Sequence, residues 1–172
     1  MRDNQPVSEP YEETVKGEKV LRLPARPRHE IVLVRLHQRV AKAVTQLAST
    51  RLLAPRTRIE LSPKNLFRPD IALITMASDK LWLVGEVISS DDHHADTVDK
   101  KEVYEEFKLP RLWMIDPRYD NVEVYHGTPY GLALKKVLAG RDILNEPLLP
   151  GFQIAVHELF AGEPTGETQL DF

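Results

Sequence analysis

The chain of 172 residues contains no cysteine. This absence excludes disulfide bridges, zinc sites with thiolate ligands and thiol nucleophiles. The sequence also has no apolar run that approaches about 18 residues, the length that a membrane-spanning helix requires. Its N-terminal segment lacks the apolar stretch that follows the basic residues of a secretory signal. We therefore expect a soluble, cytoplasmic protein.

The length predicts a single domain, because domains commonly contain about 100–200 residues and a chain of this size can bury a core. Residues 1–15 are polar and acidic and include Pro6 and Pro10, which predicts a flexible N-terminal tail. Residues 163–172 are predicted to form a flexible C-terminal tail. The predicted folded domain therefore comprises residues 16–162.

Charge is divided unevenly along the chain, although the net charge is only -3. Residues 16–68 contain 13 Lys and Arg but three Glu, whereas residues 69–172 contain 9 basic and 19 acidic residues. This asymmetry favours a protein with one half that faces a polyanion such as nucleic acid. The alternative is a salt-bridged surface whose charges happen to separate along the sequence.

A first helix is predicted within residues 28–50. Apolar residues there follow helical spacing, at Val32, Leu33, Leu36, Val40, Ala43, Val44 and Leu47. The opposite side of this helix carries Arg35, Arg39 and Lys42, aligned at steps of four and three residues. This basic ridge is a candidate for contacts with DNA phosphates, although a solvated helix face is the commoner fate of such residues.

Short runs rich in Ile, Leu and Val predict strands, notably "PDIALITM" and "KLWLVGEVIS", which a turn of hairpin length would join. A second helix is predicted over "ADTVDKKEVYEEFK", and further strands over "LWMID", "NVEVYHG" and "LALKKVL". The order of helix, strands, helix and strands predicts an α/β (α+β) fold in which helices pack against a mixed sheet.

Two carboxylates, Asp70 and Glu86, stand in the predicted hairpin where apolar side chains would be expected. Because a short turn joins their strands, these residues can lie almost opposite each other. Magnesium typically takes one or two protein carboxylates and keeps several waters, so such a pair suits it. A bound cation also removes the cost of burying an unpaired carboxylate. Alternatively, Asp70 caps local amides and Glu86 pairs with a buried arginine.

The second predicted helix carries Asp96, Lys100 and Tyr104 at intervals of four residues, and therefore on one face. A lysine near the two carboxylates could orient or deprotonate an attacking water, or stabilise charge on a phosphoryl oxygen. The alternative is an ordinary ion pair between Asp96 and Lys100 on the helix surface, worth a few tenths of a kcal/mol.

Five stretches resemble, in order and spacing, the Uma-type family of restriction endonucleases, a branch of the PD-(D/E)XK nuclease superfamily. They are "RPDIALI", "LVGEVISS", "DTVDKKEVY", "LPRLWMIDP" and "LLPGFQIAVHELF". The resemblance covers roughly residues 20–162. It implies a restriction-endonuclease-like core, with a mixed central sheet flanked by helices, and magnesium-dependent hydrolysis of phosphodiester bonds.

The resemblance also implies roles for individual residues. Asp70 matches the aspartate of the PD motif and Glu86 matches the acidic residue of the second half-motif. Lys100 matches the lysine that the family places on the following helix, with Asp96 and Tyr104 as its usual neighbours.

The chain departs from the superfamily pattern two residues after the acid, where Ile88 stands in place of a lysine. The Uma-type family shows the same absence, so the transfer of this role to Lys100 is a hypothesis. The loop "SSDDHHAD" is more acidic than is usual in the family. His29 matches a histidine that is frequent in the family, and it would either reach the site or cap the first helix.

The sequence thus predicts a magnesium-dependent DNA endonuclease, with manganese as a substitute metal. Asp70 and Glu86 would bind the metal and Lys100 would assist catalysis. Because cutting both strands of a duplex commonly takes two active sites, we expect a homodimer by analogy. One alternative is a catalytically inactive, nuclease-derived module that binds DNA or protein, which the missing lysine and the acidic loop favour. A metal-dependent hydrolase of small phosphate esters is a third.

Overall fold

The computed structural model describes residues 9–89 and 94–162. In chain order its elements are β1 (Tyr11–Val15), β2 (Glu18–Arg22), α1 (Pro27–Val44), β3 (Thr50–Leu52), β4 (Ile59–Ser62), β5 (Asn65–Phe67), β6 (Ile71–Thr75), β7 (Leu81–Val87), a π-helical turn (Ala95–Asp99), α2 (Lys100–Glu106), β8 (Arg111–Asp116), β9 (Asn121–Thr128), β10 (Gly131–Ala139), β11 (Ile143–Asn145), β12 (Gln153–Ala155) and α3 (Val156–Leu159). Both predicted helices are present, and the second begins as the π-helical turn.

The centre of the protein is a six-stranded sheet with the strand order β10-β9-β8-β7-β6-β3. Strands β7 and β8 pair in parallel and the other neighbours pair antiparallel, so the sheet is mixed. The connection between β7 and β8 carries α2, since parallel strands need a long crossover. A four-stranded sheet (β2-β1-β5-β4) and a two-stranded sheet (β11-β12) complete the architecture. The predicted α/β (α+β) class with a mixed central sheet is confirmed.

Side chains on successive strand residues point to opposite faces of the central sheet, and each face has its own apolar core. Helix α1 covers one face, where Leu36 and Val40 belong to the same buried cluster as Trp113. Helix α2 and the four-stranded sheet contribute to the other core, which includes Phe67 and Val84. The central sheet is therefore covered on both sides, as its apolar strands predicted.

Helix α1 forms where the apolar spacing predicted a helix. Pro27 occupies its first turn, where the missing N–H costs nothing, and Glu30 and Lys42 complement the helix dipole at the two ends. The buried stripe consists of Val32, Leu33, Leu36, Val40 and Ala43. This stripe fixes which side of α1 faces the sheet.

The prediction of a flexible N-terminal tail is wrong for residues 11–15, which form β1 and pair with β2 and β5. The alternation of this strand buries Glu13 and Val15. Residues 1–8 and 163–172 lie outside the described residues, so the predicted tails there and the limits of the domain stay predictions. Among the described residues, no helix is both long and apolar enough to cross a membrane.

Candidate active site

Asp70 and Glu86 lie opposite each other at the ends of β6 and β7. The antiparallel register pairs Ile71 with Gly85, and its continuation by one residue pairs Asp70 with Glu86 on the same face. Asp70 Oδ2 also accepts a hydrogen bond of 2.8 Å from the Val87 N–H, which fixes the carboxylate beside β7. Gly85 permits this close pairing, because a Cβ there would lie 3.1 Å from Cβ of Ile71. The short hairpin thus brings the two acids together.

Glu86 is buried, and two side chains contact the same oxygen of its carboxylate. Tyr104 OH donates a hydrogen bond of 2.6 Å to Oε2, and Lys100 Nζ lies 2.8 Å from the same atom. Burial raises the pKa of Glu86 to about 8; Lys100 opposes this rise, and the charge of Asp70 adds to it. Ionised Glu86 is therefore costly here unless further positive charge is present.

Lys100 has a second acidic partner that the sequence did not reveal. Its Nζ donates a hydrogen bond of 2.8 Å to Glu13 Oε2 and lies 5.0 Å from the centre of the Phe67 ring. Burial lowers the pKa of Lys100, but the charges of Glu13 and Glu86 outweigh it, and the pKa is raised overall. Lys100 therefore stays protonated between two carboxylates.

Arg22 of β2 joins the N-terminal hairpin to the π-helical turn. Its NH2 donates to both oxygens of Asp96 at 2.9 Å, and its NH1 donates to Glu13 Oε1 at 2.6 Å. Asp96 Oδ2 also accepts a hydrogen bond of 3.1 Å from the Ser89 N–H. The π-helical turn, a feature that often occurs at functional sites, thus places Asp96 and Lys100 against the hairpin.

Ile88 occupies the position where the superfamily pattern has a lysine. Its side chain is buried in the same core as Val84 and Met114, and its N–H donates to the Ile115 carbonyl at 2.8 Å. A charged side chain at this position would have to enter that core. The ammonium group beside Glu86 comes from Lys100 instead, in agreement with the predicted alignment of Asp96, Lys100 and Tyr104.

Asp70 also faces an arginine, Arg56. Arg56 Nε lies 3.4 Å from Asp70 Oδ1, and its NH1 and NH2 donate to the two oxygens of Glu30 at 3.2 and 2.6 Å. Within the described residues neither Arg56 Nε nor Asp70 Oδ1 forms a hydrogen bond, although both atoms are buried. The alternative foreseen for Asp70 is thus partly present, since Asp70 accepts a backbone N–H. The arginine that was foreseen beside Glu86 lies beside Asp70 instead.

His29 reaches the site rather than capping α1. Its Nε2 lies 2.7 Å from the Val87 carbonyl oxygen, and its Nδ1 lies 3.9 Å from Glu30 Oε1. Burial lowers the pKa of His29, but the carboxylates of Glu30 and Asp70 outweigh burial and the pKa is raised overall. His29 therefore connects the first turn of α1 to the end of β7, next to both acids.

A cavity of about 240 Å³ opens beside the paired acids. Asp70, Glu86, His29 and Arg56 line it. The same cavity is lined by four further basic side chains, Arg22, Arg26, Arg28 and Arg118. Lys100 is not among the described residues that line it. Arginine side chains and carboxylates thus line the same cavity, and the arginines add positive potential there for an anionic ligand.

The buried charges of the site do not balance within the described residues. They comprise four carboxylates and two cations: Glu13, Asp70, Glu86, Asp96, Arg22 and Lys100. The partly buried pair of Arg56 and Glu30 adds no net charge. With all six groups ionised, two negative charges would remain, and a divalent cation would balance them and favour ionised Glu86, whose pKa is otherwise raised to about 8. The unpaired Oδ1 of Asp70 fits the same ion, with waters as its remaining ligands. No group of three or more His, Asp and Glu side chains that could hold a metal occurs in the described part of the chain.

A family model described as "Uma2: Putative restriction endonuclease" matches residues 6–157. The chain belongs to the Uma2 family. This membership supports a nuclease function of the hydrolase class, and it agrees with the resemblance seen in the sequence. A comparison with curated proteins finds no match.

The fold of this Uma2 family member is similar to a crystal structure described as "a putative nuclease belonging to DUF820" from Anabaena variabilis. The TM-score is 0.73, the identity is 15%, and the match covers 91% of this chain and 93% of that chain. At this identity the likeness concerns the fold alone. The restriction-endonuclease-like core that the sequence predicted is therefore supported by both comparisons.

Two arginines of the basic ridge of α1 form hydrogen bonds within the protein. Arg35 NH1 donates to the Ala161 carbonyl at 2.8 Å, and Arg39 NH1 donates to the Gln153 carbonyl at 2.9 Å. Lys42, the third member of the ridge, is exposed. These guanidinium groups hold the C-terminal segment onto α1, and a role of the ridge in DNA binding stays a prediction.

Sequence reasoning missed four charged residues of the site: Glu13, Arg22, Glu30 and Arg56. Glu13 lies in a segment whose acidic composition resembled a tail, and Arg56 lies in a loop. One signal was present, because Glu13 alternates with Tyr11 and Val15 in one short run, and Arg22 alternates with Val20 in the next. Residues 90–93 of the acidic loop lie outside the described residues.

Proposed function

We propose that this protein is a magnesium-dependent endonuclease that hydrolyses phosphodiester bonds in DNA, and that manganese can replace magnesium. The observation that carries the proposal is the pairing of Asp70 and Glu86 beside a cavity, in a site where four buried carboxylates, when ionised, outnumber two buried cations. Membership of the Uma2 family supports the nuclease class. The arginines that line the cavity supply the positive potential that an anionic substrate needs.

In this proposal Asp70 and Glu86 hold the cation through Asp70 Oδ1 and a Glu86 oxygen. The bound cation supplies Lewis acidity and lowers the pKa of a bound water. Tyr104 and Lys100 fix Glu86 Oε2, so that the carboxylate keeps one orientation. Lys100 contacts Glu13 as well as Glu86, so its single positive charge does not fully neutralise Glu86. Lys100 thus acts through Glu86, as a positioning residue.

Substrate binding is proposed to depend on charge, with the backbone of DNA at the arginines that line the cavity. Contacts of this kind are sensitive to salt and largely independent of base sequence. A homodimer would supply the second active site that cleavage of both strands requires. Arg35, Arg39 and Lys42 would extend the basic surface along α1.

The proposal is tested with Asp70→Asn, Glu86→Gln and the control Asp79→Asn, which changes an exposed acid in the turn between β6 and β7. Cleavage of supercoiled and linear DNA is measured with magnesium, with manganese and with a chelator. We expect wild type and Asp79→Asn to cleave only with metal, and both site variants to lose at least about a hundredfold in rate. Unfolding temperatures should not fall in the site variants. Cleavage that survives either site change removes the assignment.

A second candidate is a binding module without catalysis, and the ion pair between Arg56 and Asp70 favours it. In such a module Arg56 would occupy the place of a metal permanently. Calorimetric titration with manganese separates the candidates, because the endonuclease should bind the ion and should be stabilised by it on heating. Absence of binding at millimolar manganese, together with retained DNA binding, would favour the module.

A further inference from the structure

Arg56 is held beside the paired acids by its backbone as well as by its side chain. It lies in the loop between β3 and β4 with φ of 62°, in the left-handed region that side chains other than glycine rarely adopt. Its N–H donates a hydrogen bond of 2.9 Å to the carbonyl of Pro69, the residue directly before Asp70. Strained backbone of this kind persists only where the surroundings enforce it, and it clusters at ligand sites.

The guanidinium of Arg56 is oriented by Glu30 on one edge and presents its other edge to the site. Glu30 accepts from NH1 and NH2, and the neighbouring His29 and Arg56 lower the pKa of Glu30 to about 2, so that it stays ionised. The Tyr11 ring lies 5.8 Å from the guanidinium carbon. Nε, on the side towards Asp70, is the donor that remains without a hydrogen bond within the described residues.

We propose that Arg56 contacts the phosphate of the substrate directly, as the cation that stabilises the negative charge on its oxygens. This inference rests on the proposed function and gives Arg56 the contact with substrate that the sequence suggested for Lys100. The positions of these two basic side chains favour Arg56 for this contact. Arg56 lines the cavity, whereas Lys100 lies between the carboxylates of Glu13 and Glu86. The planar, always charged guanidinium also suits phosphate better than an ammonium group does.

The distance between Arg56 and Asp70 would allow Asp70 to bind the cation while Arg56 contacts the phosphate of the same substrate. At 3.4 Å without a hydrogen bond, the ion pair leaves both Arg56 Nε and Asp70 Oδ1 unsatisfied. A cation at Asp70 Oδ1 would take up that oxygen, and a phosphate oxygen would then take up the N–H of Arg56. Both unsatisfied atoms would gain a partner in a single bound state. A purely structural ion pair would instead be expected to close to hydrogen-bonding distance.

The test uses Arg56→Gln and Arg56→Lys, with Arg58→Gln as a matched control because Arg58 is an exposed arginine two residues away. Calorimetry measures the affinity for manganese alone, and then for thymidine 5′-monophosphate in the presence of manganese. This nucleotide offers a phosphate and no diester bond to cleave. Unfolding temperature is recorded for each protein.

For Arg56→Gln we expect manganese to bind as well as to wild type or more tightly, because a positive charge near Asp70 is removed. We expect the affinity for the nucleotide to fall about tenfold or more, as the loss of a charge-assisted hydrogen bond predicts. The nucleotide affinity of Arg56→Lys should lie between those of wild type and Arg56→Gln, and that of Arg58→Gln should match wild type. These opposite effects on metal and nucleotide are not expected from a residue that only supports the fold.

Three results with the Arg56 variants would overturn the inference. An unchanged nucleotide affinity in Arg56→Gln would overturn it while leaving the metal site and the endonuclease proposal intact. A joint loss of manganese binding, nucleotide binding and thermal stability would show a structural ion pair. If Arg56→Gln does not fold, an unchanged nucleotide affinity in Arg56→Lys has the same consequence. Failure of the wild-type protein to bind manganese is the different result that removes the proposed function, and the inference with it.

Discussion

Glu13 and Lys100 lie 87 positions apart in the sequence, and a carboxylate oxygen of one lies 2.8 Å from the ammonium nitrogen of the other. Both side chains are almost completely buried, so the contact is not a surface ion pair. Glu13 also accepts a hydrogen bond from Arg22 and one from the Arg68 N–H. The N-terminal hairpin is therefore part of the site, and its Glu13 helps to balance the charge of Lys100.

Replacement of Glu13 should destabilise the protein strongly. Glu13→Gln keeps the shape of the side chain but removes one of the two charges that compensate Lys100, and breaking a buried ion pair costs about 3–5 kcal/mol. Glu12→Gln is the matched control, since Glu12 is the exposed neighbour on the same strand. Urea unfolding should show the loss for Glu13→Gln and a change within about 0.5 kcal/mol for Glu12→Gln. Equal stabilities of the two variants would mean that the contact between Glu13 and Lys100 does not stabilise the protein.

The stability of the metal-free protein should depend on the protonation of Glu86. Its pKa is raised to about 8, so the folded state keeps a proton that the unfolded state releases near the ordinary pKa of glutamate. Stability from this group is therefore present at low pH and is lost as the pH rises towards 8. Glu86→Gln removes the titrating group. In chelator, the unfolding temperature of Glu86→Gln should rise relative to that of wild type between pH 5 and 9. A difference that does not vary with pH would contradict the assignment.

Tyr104→Phe removes one hydrogen bond to Glu86 and keeps the aromatic ring, which contacts Phe67 edge-on at 5.3 Å. We expect a loss of about 1–2 kcal/mol in the free energy of unfolding and weaker manganese binding, because Glu86 loses part of its support. Tyr125→Phe removes a hydrogen bond of the same 2.6 Å length to Glu123, on a strand that does not line the cavity. Manganese titrations that respond equally to both changes would show that Tyr104 has no special relation to the site.

The basic ridge of α1 can be divided by experiment into structural and exposed members. Arg35→Gln should lower stability by about 1 kcal/mol, since Arg35 donates to carbonyl groups of the C-terminal segment. Lys42→Gln should leave stability unchanged and, if the ridge meets DNA, should reduce the slope of log affinity against log salt by about one unit. DNA-binding titrations at several salt concentrations measure this slope. A slope that Lys42→Gln does not change removes the ridge from the DNA-binding surface.

The sequence predicted those parts of the site that depend on local spacing. The short turn between two apolar runs was enough to pair Asp70 with Glu86, and intervals of four placed Lys100 and Tyr104 on one helix face. Contacts between distant segments could not be read in this way, because hydrophobic periodicity does not record which charged residues meet. Glu13 illustrates this limit, since a polar strand and a polar tail have similar compositions.

The ridge on α1 illustrates a second limit of sequence reasoning. Helical spacing correctly placed Arg35 and Arg39 on one side of the helix. It did not reveal that backbone carbonyls of the C-terminal segment would accept their hydrogen bonds. Aligned positive charge thus indicates a surface with a shared partner, while the nature of that partner depends on the tertiary structure.

The position of the N-terminal hairpin has a consequence for how the protein is made. Strand β1 leaves the ribosome long before α2 has been translated, so Glu13 and Arg22 remain hydrated on the nascent chain. The buried charge network can close only after synthesis has passed Lys100. The network therefore assembles late, and a polypeptide released before that point carries the Asp70 and Glu86 carboxylates without the lysine that contacts Glu86.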